Sequence, residues 1–219
     1  DTKWHYYLEE AEREPEVQAQ LAEIRKEYSK QLEQKIIQGL KDLNFLDVNF
    51  AIDFRKKKNY TDNGTDDIQY LISTNPGETL KPLGQIVSGG ELSRIMLALK
   101  AILADRDEIE TLIFDEIDTG ISGRTAQKVS EKMAVIGQHH QVLCITHLPQ
   151  IAAMADSHFE IEKHLQGTET ITQIHVLKEN DSIRELARLL GGAEITPAVL
   201  ENAKEMKELA QKQKNTRFK

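Results

Sequence analysis

The chain has 219 residues with 36 acidic and 28 basic side chains, a formal net charge of −8. That balance argues against a domain whose whole surface grips nucleic acid. No apolar run nears the roughly 20 residues needed to cross a bilayer, and Asp1-Thr2-Lys3-Trp4 shows no signal-peptide pattern. What remains is a soluble-type chain, long enough for one large domain or a domain with an appendage. A start at Asp1 rather than Met is expected of a piece of something longer, and the single Cys144, set in an apolar run, reads as a buried free thiol in a reducing cytoplasm.

Residues 16–43 place Val17, Leu21, Ile24, Tyr28, Leu32, Ile36, Leu40 and Leu43 three or four apart among Glu, Lys, Arg and Gln. The spacing predicts one amphipathic helix, about 40 Å long at 1.5 Å per residue. So narrow a stripe suits a coiled-coil arm, although spacings mostly of four make an imperfect heptad seam; a long surface helix is the alternative. Pro15 marks a break or a helix start, which leaves residues 1–14 open.

From Val48 the period changes to two. Val48, Phe50, Ile52 and Phe54 alternate with Asn49, Ala51 and Asp53, the pattern of a half-buried strand, and Ile68 to Ser73 is its partner in an antiparallel hairpin. Thr61-Asp62-Asn63-Gly64-Thr65 supplies the turn chemistry. Arg55-Lys56-Lys57-Lys58 reads as a solvated loop at the outer end, with DNA phosphate contact as the other reading.

Asn75 to Val87 is an irregular lead-in, followed by Val87-Ser88-Gly89-Gly90-Glu91-Leu92-Ser93-Arg94. Two glycines open a helix-forming run, Glu91 to Leu103, expected to bury Leu92, Ile95, Met96, Leu99, Ile102 and Leu103. Glycines let the backbone approach an anion closely, and a helix start offers unpaired N–H groups and a partial positive charge. Taken alone, Ser-Gly-Gly fits a loop that merely caps a core helix.

Thr111-Leu112-Ile113-Phe114-Asp115-Glu116 is an apolar run too short for a typical helix and ends in two carboxylates; Ile117-Asp118-Thr119-Gly120-Ile121-Ser122-Gly123 follows. A helix over Gly123 to Ile136 precedes a second apolar run, Gln141 to Ile145, then Thr146-His147 and a short helix over Pro149 to Ala155. Strand, helix, strand with apolar strands argues for a parallel sheet. His139 and His140 are expected to be exposed. Ser157 to Lys163 and Ile171 to Leu177 read as an antiparallel pair connected through Gly167. Ser182-Ile183-Arg184-Glu185 is a capping-box pattern opening a helix that stops at Gly191-Gly192, and Thr196-Pro197 opens the last helix, which fades into a tail over Lys212 to Lys219.

The motif order resembles the ABC-type ATPases: signature loop, Walker B strand with its acidic pair, D-loop and switch histidine. More narrowly, Asn75-Pro76-Gly77-Glu78-Thr79-Leu80-Lys81-Pro82-Leu83, with Glu91 in the signature's fifth place where transporters usually carry glutamine, resembles the RecN family of bacterial DNA-repair proteins, relatives of the SMC proteins. Asp115 to Gly123 and Thr146-His147-Leu148-Pro149-Gln150-Ile151-Ala152 fit the same family, and the resemblance covers residues 16–210.

The resemblance implies an α/β fold: the C-terminal lobe of an ABC/SMC-type P-loop ATPase head, a mixed sheet with flanking helices, plus a coiled-coil arm stub. Residues 1–43 would end the arm, 44–213 form the lobe and 214–219 the tail. The implied ligands are ATP and Mg²⁺. Asp115 would be the metal ligand and Glu116 the general base, although a strand-end Asp-Glu pair can also be merely solvated or cap the next helix. His147 would contact the γ-phosphate. Ser88, Gly89, Gly90 and Glu91 would form the signature, while Asp118 and Ser122 match the D-loop, with helix capping the plain alternative at Ser122. Lys81 and Arg94, flanking the signature, are open between surface charge and a nucleotide or coupling role.

None of the twelve glycines is followed by lysine, so the Walker A cradle is absent from this sequence. The implied partners are therefore an N-terminal ATPase lobe of the same protein, a second copy joined through ATP-bound heads, and DNA in the whole protein, with no membrane; the implied location is cytoplasmic and nucleoid-associated. The isolated chain is expected to be nearly inactive. An SMC-type structural head that tethers chromosomes and a non-enzymatic dimerisation module are the competing readings.

Overall fold

The computed structural model describes residues 15–61, 63–86, 88–104, 108–166, 169–192 and 194–217. Residues 1–14, Val87 and Gly167 thus lie outside the described residues, and with them the open reading of the first fourteen residues. The chain divides between Ser88 and Gly89 into two compact units.

In the first unit, helix α1 (Pro15–Asp42) runs as its periodicity predicts. Its second half is sealed by Ile36, Leu40 and, just beyond, Leu43, at most 1% exposed, whereas Ile24 and Tyr28 in the first half stand 53% and 64% open. Strands β1 (Asn49–Thr61) and β2 (Gly64–Ser73) form the expected antiparallel hairpin, with Phe50 opposite Ile72 and Phe54 opposite Ile68. Helix and hairpin are pinned by polar contacts: Arg25 reaches Asp66 at 2.8 Å, and the Ile52 main-chain N–H donates to Glu33 at 2.7 Å.

Two sequence expectations change here. The basic run is strand rather than loop: Arg55 pairs across the ladder with Asp67 and Lys56 with Asp66, so cross-strand carboxylates face part of that charge. Inside the predicted loop, Lys81–Pro82 forms a short strand β3 at the edge of β2, a position where proline's missing N–H costs no ladder bond. Lys81 is exposed there.

The second unit runs α2 (Gly89–Leu103), β4 (Thr111–Phe114), α3 (Gly123–Ile136), β5 (Gln141–Cys144), α4 (Pro149–Ala153), β6 (Phe159–Gln166), β7 (Glu169–Val176), α5 (Glu179–Gly191) and α6 (Pro197–Arg217). β4 and β5 pair in parallel, in register from Thr111 opposite Gln141 to Phe114 opposite Cys144, and β6 and β7 pair antiparallel. Ile95, Leu97, Ala98, Phe114, Ile117, Val129 and Ile136 are buried, and a core cluster joins α4, α5 and α6 through Ala152, Met154, Leu186, Ala187 and Ala203.

α2 buries a face rotated from the predicted one. Arg94, Ile95, Leu97 and Ala98 are inside, while Leu92, Met96 and Leu103 are 37%, 37% and 42% exposed. The reason is the turn after β4, which draws in the Arg94 side of the helix. His140, expected at the surface, is only 8% exposed; its ring nitrogens lie 2.6 Å from the Ile109 carbonyl oxygen and 3.2 Å from that of Ala104. His139 is exposed as predicted. α5 starts at Glu179, so Ser182 is not its cap: it is buried inside the first turns, its hydroxyl 2.9 Å from His158 Nδ1. α6 continues to Arg217, so the segment read as a fading tail is helical through that residue.

One face of the parallel pair is left open. Ile113, Leu143 and Ile145 are 69%, 46% and 56% exposed, although their apolar sequence is that of strands covered on both faces. Among the described residues, β4 and β5 pair only with each other.

Candidate nucleotide site

β4 delivers Asp115 to its carboxyl end. The strand's last apolar residue, Phe114, is buried, and the chain then leaves the sheet in a turn over 116–119, closed by the Thr119 N–H donating to the Glu116 carbonyl at 3.0 Å. Asp115 and Glu116 are both exposed. Asp115 Oδ1 accepts the Glu116 main-chain N–H at 2.9 Å. Glu116 adopts φ +56°, a left-handed conformation that residues with a Cβ rarely hold. Only surrounding contacts keep such a backbone in place.

Those contacts come from α2. The Ser93 hydroxyl donates to the Asp115 carbonyl at 2.9 Å, and Arg94 Nη1 donates to the carbonyls of Thr119 at 2.9 Å and Ile117 at 3.4 Å. Burial lowers the Arg94 pKa from its ordinary value, opposed by the nearby Glu91 carboxylate. The two glycines that open the helix are what allow the approach. A Cβ at Gly89 would meet Glu116 Oε2 at 2.5 Å; one at Gly90 would meet the Glu116 carbonyl oxygen and Thr119 Cβ at 3.0 Å each. At Gly90, closed in by main-chain oxygens, glycine is required by contact, whereas at Gly89 the near atom is the movable end of the Glu116 side chain; that carboxylate lies over the start of the helix, where the dipole favours an anion.

Asp118 points inward and is 4% exposed. Its Oδ2 accepts the Thr146 hydroxyl at 2.6 Å and the His147 main-chain N–H at 2.9 Å, and stands 3.0 Å from His147 Nδ1. The Leu148 N–H completes the knot by donating to Thr146 Oγ1 at 3.0 Å. His147 itself is largely exposed, its side chain 72% open. The chain after β5 is therefore bolted to the turn after β4, and the Nδ1 edge of the imidazole is fixed by a carboxylate while the rest of the ring is open to solvent.

The structure therefore gathers Gly89, Gly90, Asp115, Glu116, Asp118 and His147 along the carboxyl ends of the two parallel strands, the side on which α/β folds bind ligands. Ser88 directly precedes α2 and is exposed. Glu91 lies in the first turn of α2. Ser122 is exposed at the N-cap position of α3, but its hydroxyl makes no capping bond. Ser93 was not legible as part of this cluster; Arg94 was legible only as a basic residue open to several roles, and its burial rules out a surface charge. Cys144, on β5, feels the same carboxylates: burial, then Asp118 and Asp115, push its thiol up to about 12.

No protein-family model matches the chain. Among curated proteins it is 44% identical over 196 residues to the DNA repair protein RecN of Halalkalibacterium halodurans, a match covering 88% of this chain and 35% of that protein. It is 39% identical over 213 residues to the DNA repair protein RecN of Bacillus subtilis, covering 90% and 37%. The chain thus spans about a third of the length of these relatives. Among solved structures it is similar to the Smc head domain with a coiled coil and joint from Pyrococcus yayanosii, with a TM-score of 0.54 and 16% identity over 78% of this chain and 31% of that one. The Smc head domain with an extended coiled coil from Pyrococcus furiosus, bound to the C-terminal domain of ScpA, gives 0.52 and 15% over 80% and 42%. These two likenesses concern the fold.

Proposed function

We infer that this chain, which belongs to the RecN family of DNA repair proteins, is the C-terminal lobe of an SMC-like, ABC-type ATPase head, and that it supplies the signature, Walker B, D-loop and switch-histidine parts of an ATP site. The observation that carries this reading is the packing of a glycine-opened helix against a strand-end carboxylate pair. Gly89 lies beneath the Glu116 carboxylate, and the Ser93 hydroxyl holds the Asp115 carbonyl.

The residues fit the ligands this reading requires. Mg²⁺ commonly takes one or two carboxylates together with phosphate oxygens and water, and Asp115 is an exposed carboxylate at a strand end. Asp115 would hold the ion, which would supply positive charge to neutralise the phosphates. Glu116, beside it, orients the attacking water and accepts its proton at a side-chain oxygen. His147, braced by Asp118, presents its open edge to the γ-phosphate. Ser88, Gly89, Gly90 and the first N–H groups of α2 are suited to an anion, and in a pair of heads they cap the γ-phosphate of ATP held by the other copy. ATP then joins two heads and hydrolysis releases them.

The cradle for the remaining phosphates comes from an N-terminal lobe of the same protein. The open apolar face of Ile113, Leu143 and Ile145, together with the strand pair left as two, supports a sheet that is completed from outside this sequence. DNA is the substrate on which the whole protein acts, in double-strand break repair, and α1 is the end of the coiled-coil arm linking the lobes. No helix among the described residues is long and apolar enough to cross a membrane.

The reading is tested in the complete protein with Glu116→Gln, which should accumulate an ATP-dependent head dimer by light scattering. A variant whose mass is the same with and without ATP, and which hydrolyses ATP as the wild type does, would overturn it.

A further inference from the structure

Arg94 is the only lysine or arginine buried among the described residues. Burying a guanidinium is costly, and here Nη1 donates to two main-chain carbonyls: those of Ile117 and Thr119, the residues on either side of Asp118. With Ser93 on the Asp115 carbonyl, two consecutive residues of α2 grip three carbonyls within the five-residue stretch 115–119. That stretch contains the left-handed Glu116, and Asp118 within it holds Thr146 and His147.

We propose that Arg94 is a positioning residue for hydrolysis, one that makes the signature helix, the Glu116 turn and the His147 brace a single rigid unit. The inference rests on the function proposed above and adds a residue to it. Arg94 does not touch the nucleotide. It fixes where the Glu116 side chain leaves the backbone and where Asp118 sits, so that the anion-facing start of α2 and the proton-accepting carboxylate keep one geometry. Both bonds leave one terminal nitrogen, Nη1, of a planar guanidinium whose N–H directions are fixed, whereas a lysine ammonium offers only a point charge.

The test uses the complete protein, P-loop lobe included, with Arg94→Lys and Arg94→Met, each compared for kcat, ATP KM and thermal melting. Displacement of a catalytic group by an ångström costs on the order of 100-fold in rate, so kcat should fall by about 10- to 100-fold while KM for ATP stays within about twofold of the wild type. The deficit should persist at temperatures well below each variant's melting point. Should Arg94→Met fail to fold, Arg94→Lys, which keeps the charge and most of the stem, carries the test. Wild-type turnover in Arg94→Lys, or a deficit that vanishes on cooling, would overturn the proposal and leave Arg94 a structural residue. Glu116→Gln in the same assay separates the two levels: if it turns over ATP normally, the ATPase reading itself has failed, whatever Arg94 does.

Discussion

Asp118 Oδ2 accepts the main-chain N–H of His147 at 2.9 Å and stands 3.0 Å from the ring Nδ1 of the same residue. A single buried oxygen thus sets both the backbone and the ring of an otherwise exposed histidine, and it receives the Thr146 hydroxyl as well.

Replacing Asp118 by alanine leaves the Thr146 hydroxyl and the His147 N–H, both half-buried donors, without their acceptor. The expected cost is about 2 to 4 kcal/mol, since a buried polar group left without its partner costs about 1 to 3. Asp118→Asn, which keeps an acceptor oxygen, should cost less than half as much. Denaturant unfolding of this chain checks the order, and an Asp118→Ala protein as stable as the wild type would contradict the geometry.

Gly90→Ala places a methyl 3.0 Å from the Glu116 carbonyl oxygen and 3.1 Å from that of Thr119, backbone atoms that cannot swing aside. The expected destabilisation is about 1 to 3 kcal/mol, as for other overpacked sites. Gly84→Ala, with nothing within 4 Å, is the control and should be near neutral. Thermal melting of the two variants side by side makes the comparison.

Cys144 gives the pH prediction. Burial first, then the Asp118 and Asp115 carboxylates, push its thiol from 9.0 up to about 12 in the folded chain. The unfolded chain therefore loses this proton first. The stability tied to the protonated thiol is fully present below pH 9.0 and is lost as pH rises towards about 12. Cys144→Ser should flatten that alkaline limb in unfolding measured against pH. At pH 8 the native thiol should also alkylate more slowly than that of the unfolded chain, by on the order of 100-fold or more.

Much of this architecture was written in local patterns. The alternation from Val48 to Phe54 gave the hairpin with its pairing, and the two short apolar runs gave the parallel pair, because a period of two and a run too short for a helix both follow from strand geometry. Glu116 and His147 were singled out from motif order. The conformations that bring them to one end of the parallel strands were not legible. The left-handed backbone at Glu116 depends on carbonyls gripped by Arg94 and Ser93 from 22 to 25 residues away. The inward turn of Asp118 depends on Thr146, 28 residues on. The same reasoning explains His140, hidden by carbonyls at Ala104 and Ile109 that no local pattern announces. It also explains α2, whose buried side is chosen by the turn it packs on rather than by its most apolar stripe.

Ser88→Arg, in the complete protein, puts a long cation where the signature is proposed to meet the partner head's γ-phosphate. ATP-dependent dimerisation should be lost while ATP binding to the single head persists. Scattering and nucleotide titration together distinguish this outcome from misfolding.

One rate tests the division of the ATP site between two lobes most directly. This chain alone should hydrolyse ATP at the background of the assay, and mixing it with a separately produced N-terminal lobe carrying a Walker A loop should restore turnover that Glu116→Gln abolishes. Turnover by the isolated chain at the rate of the complete protein, or a reconstituted rate indifferent to Glu116, would contradict it.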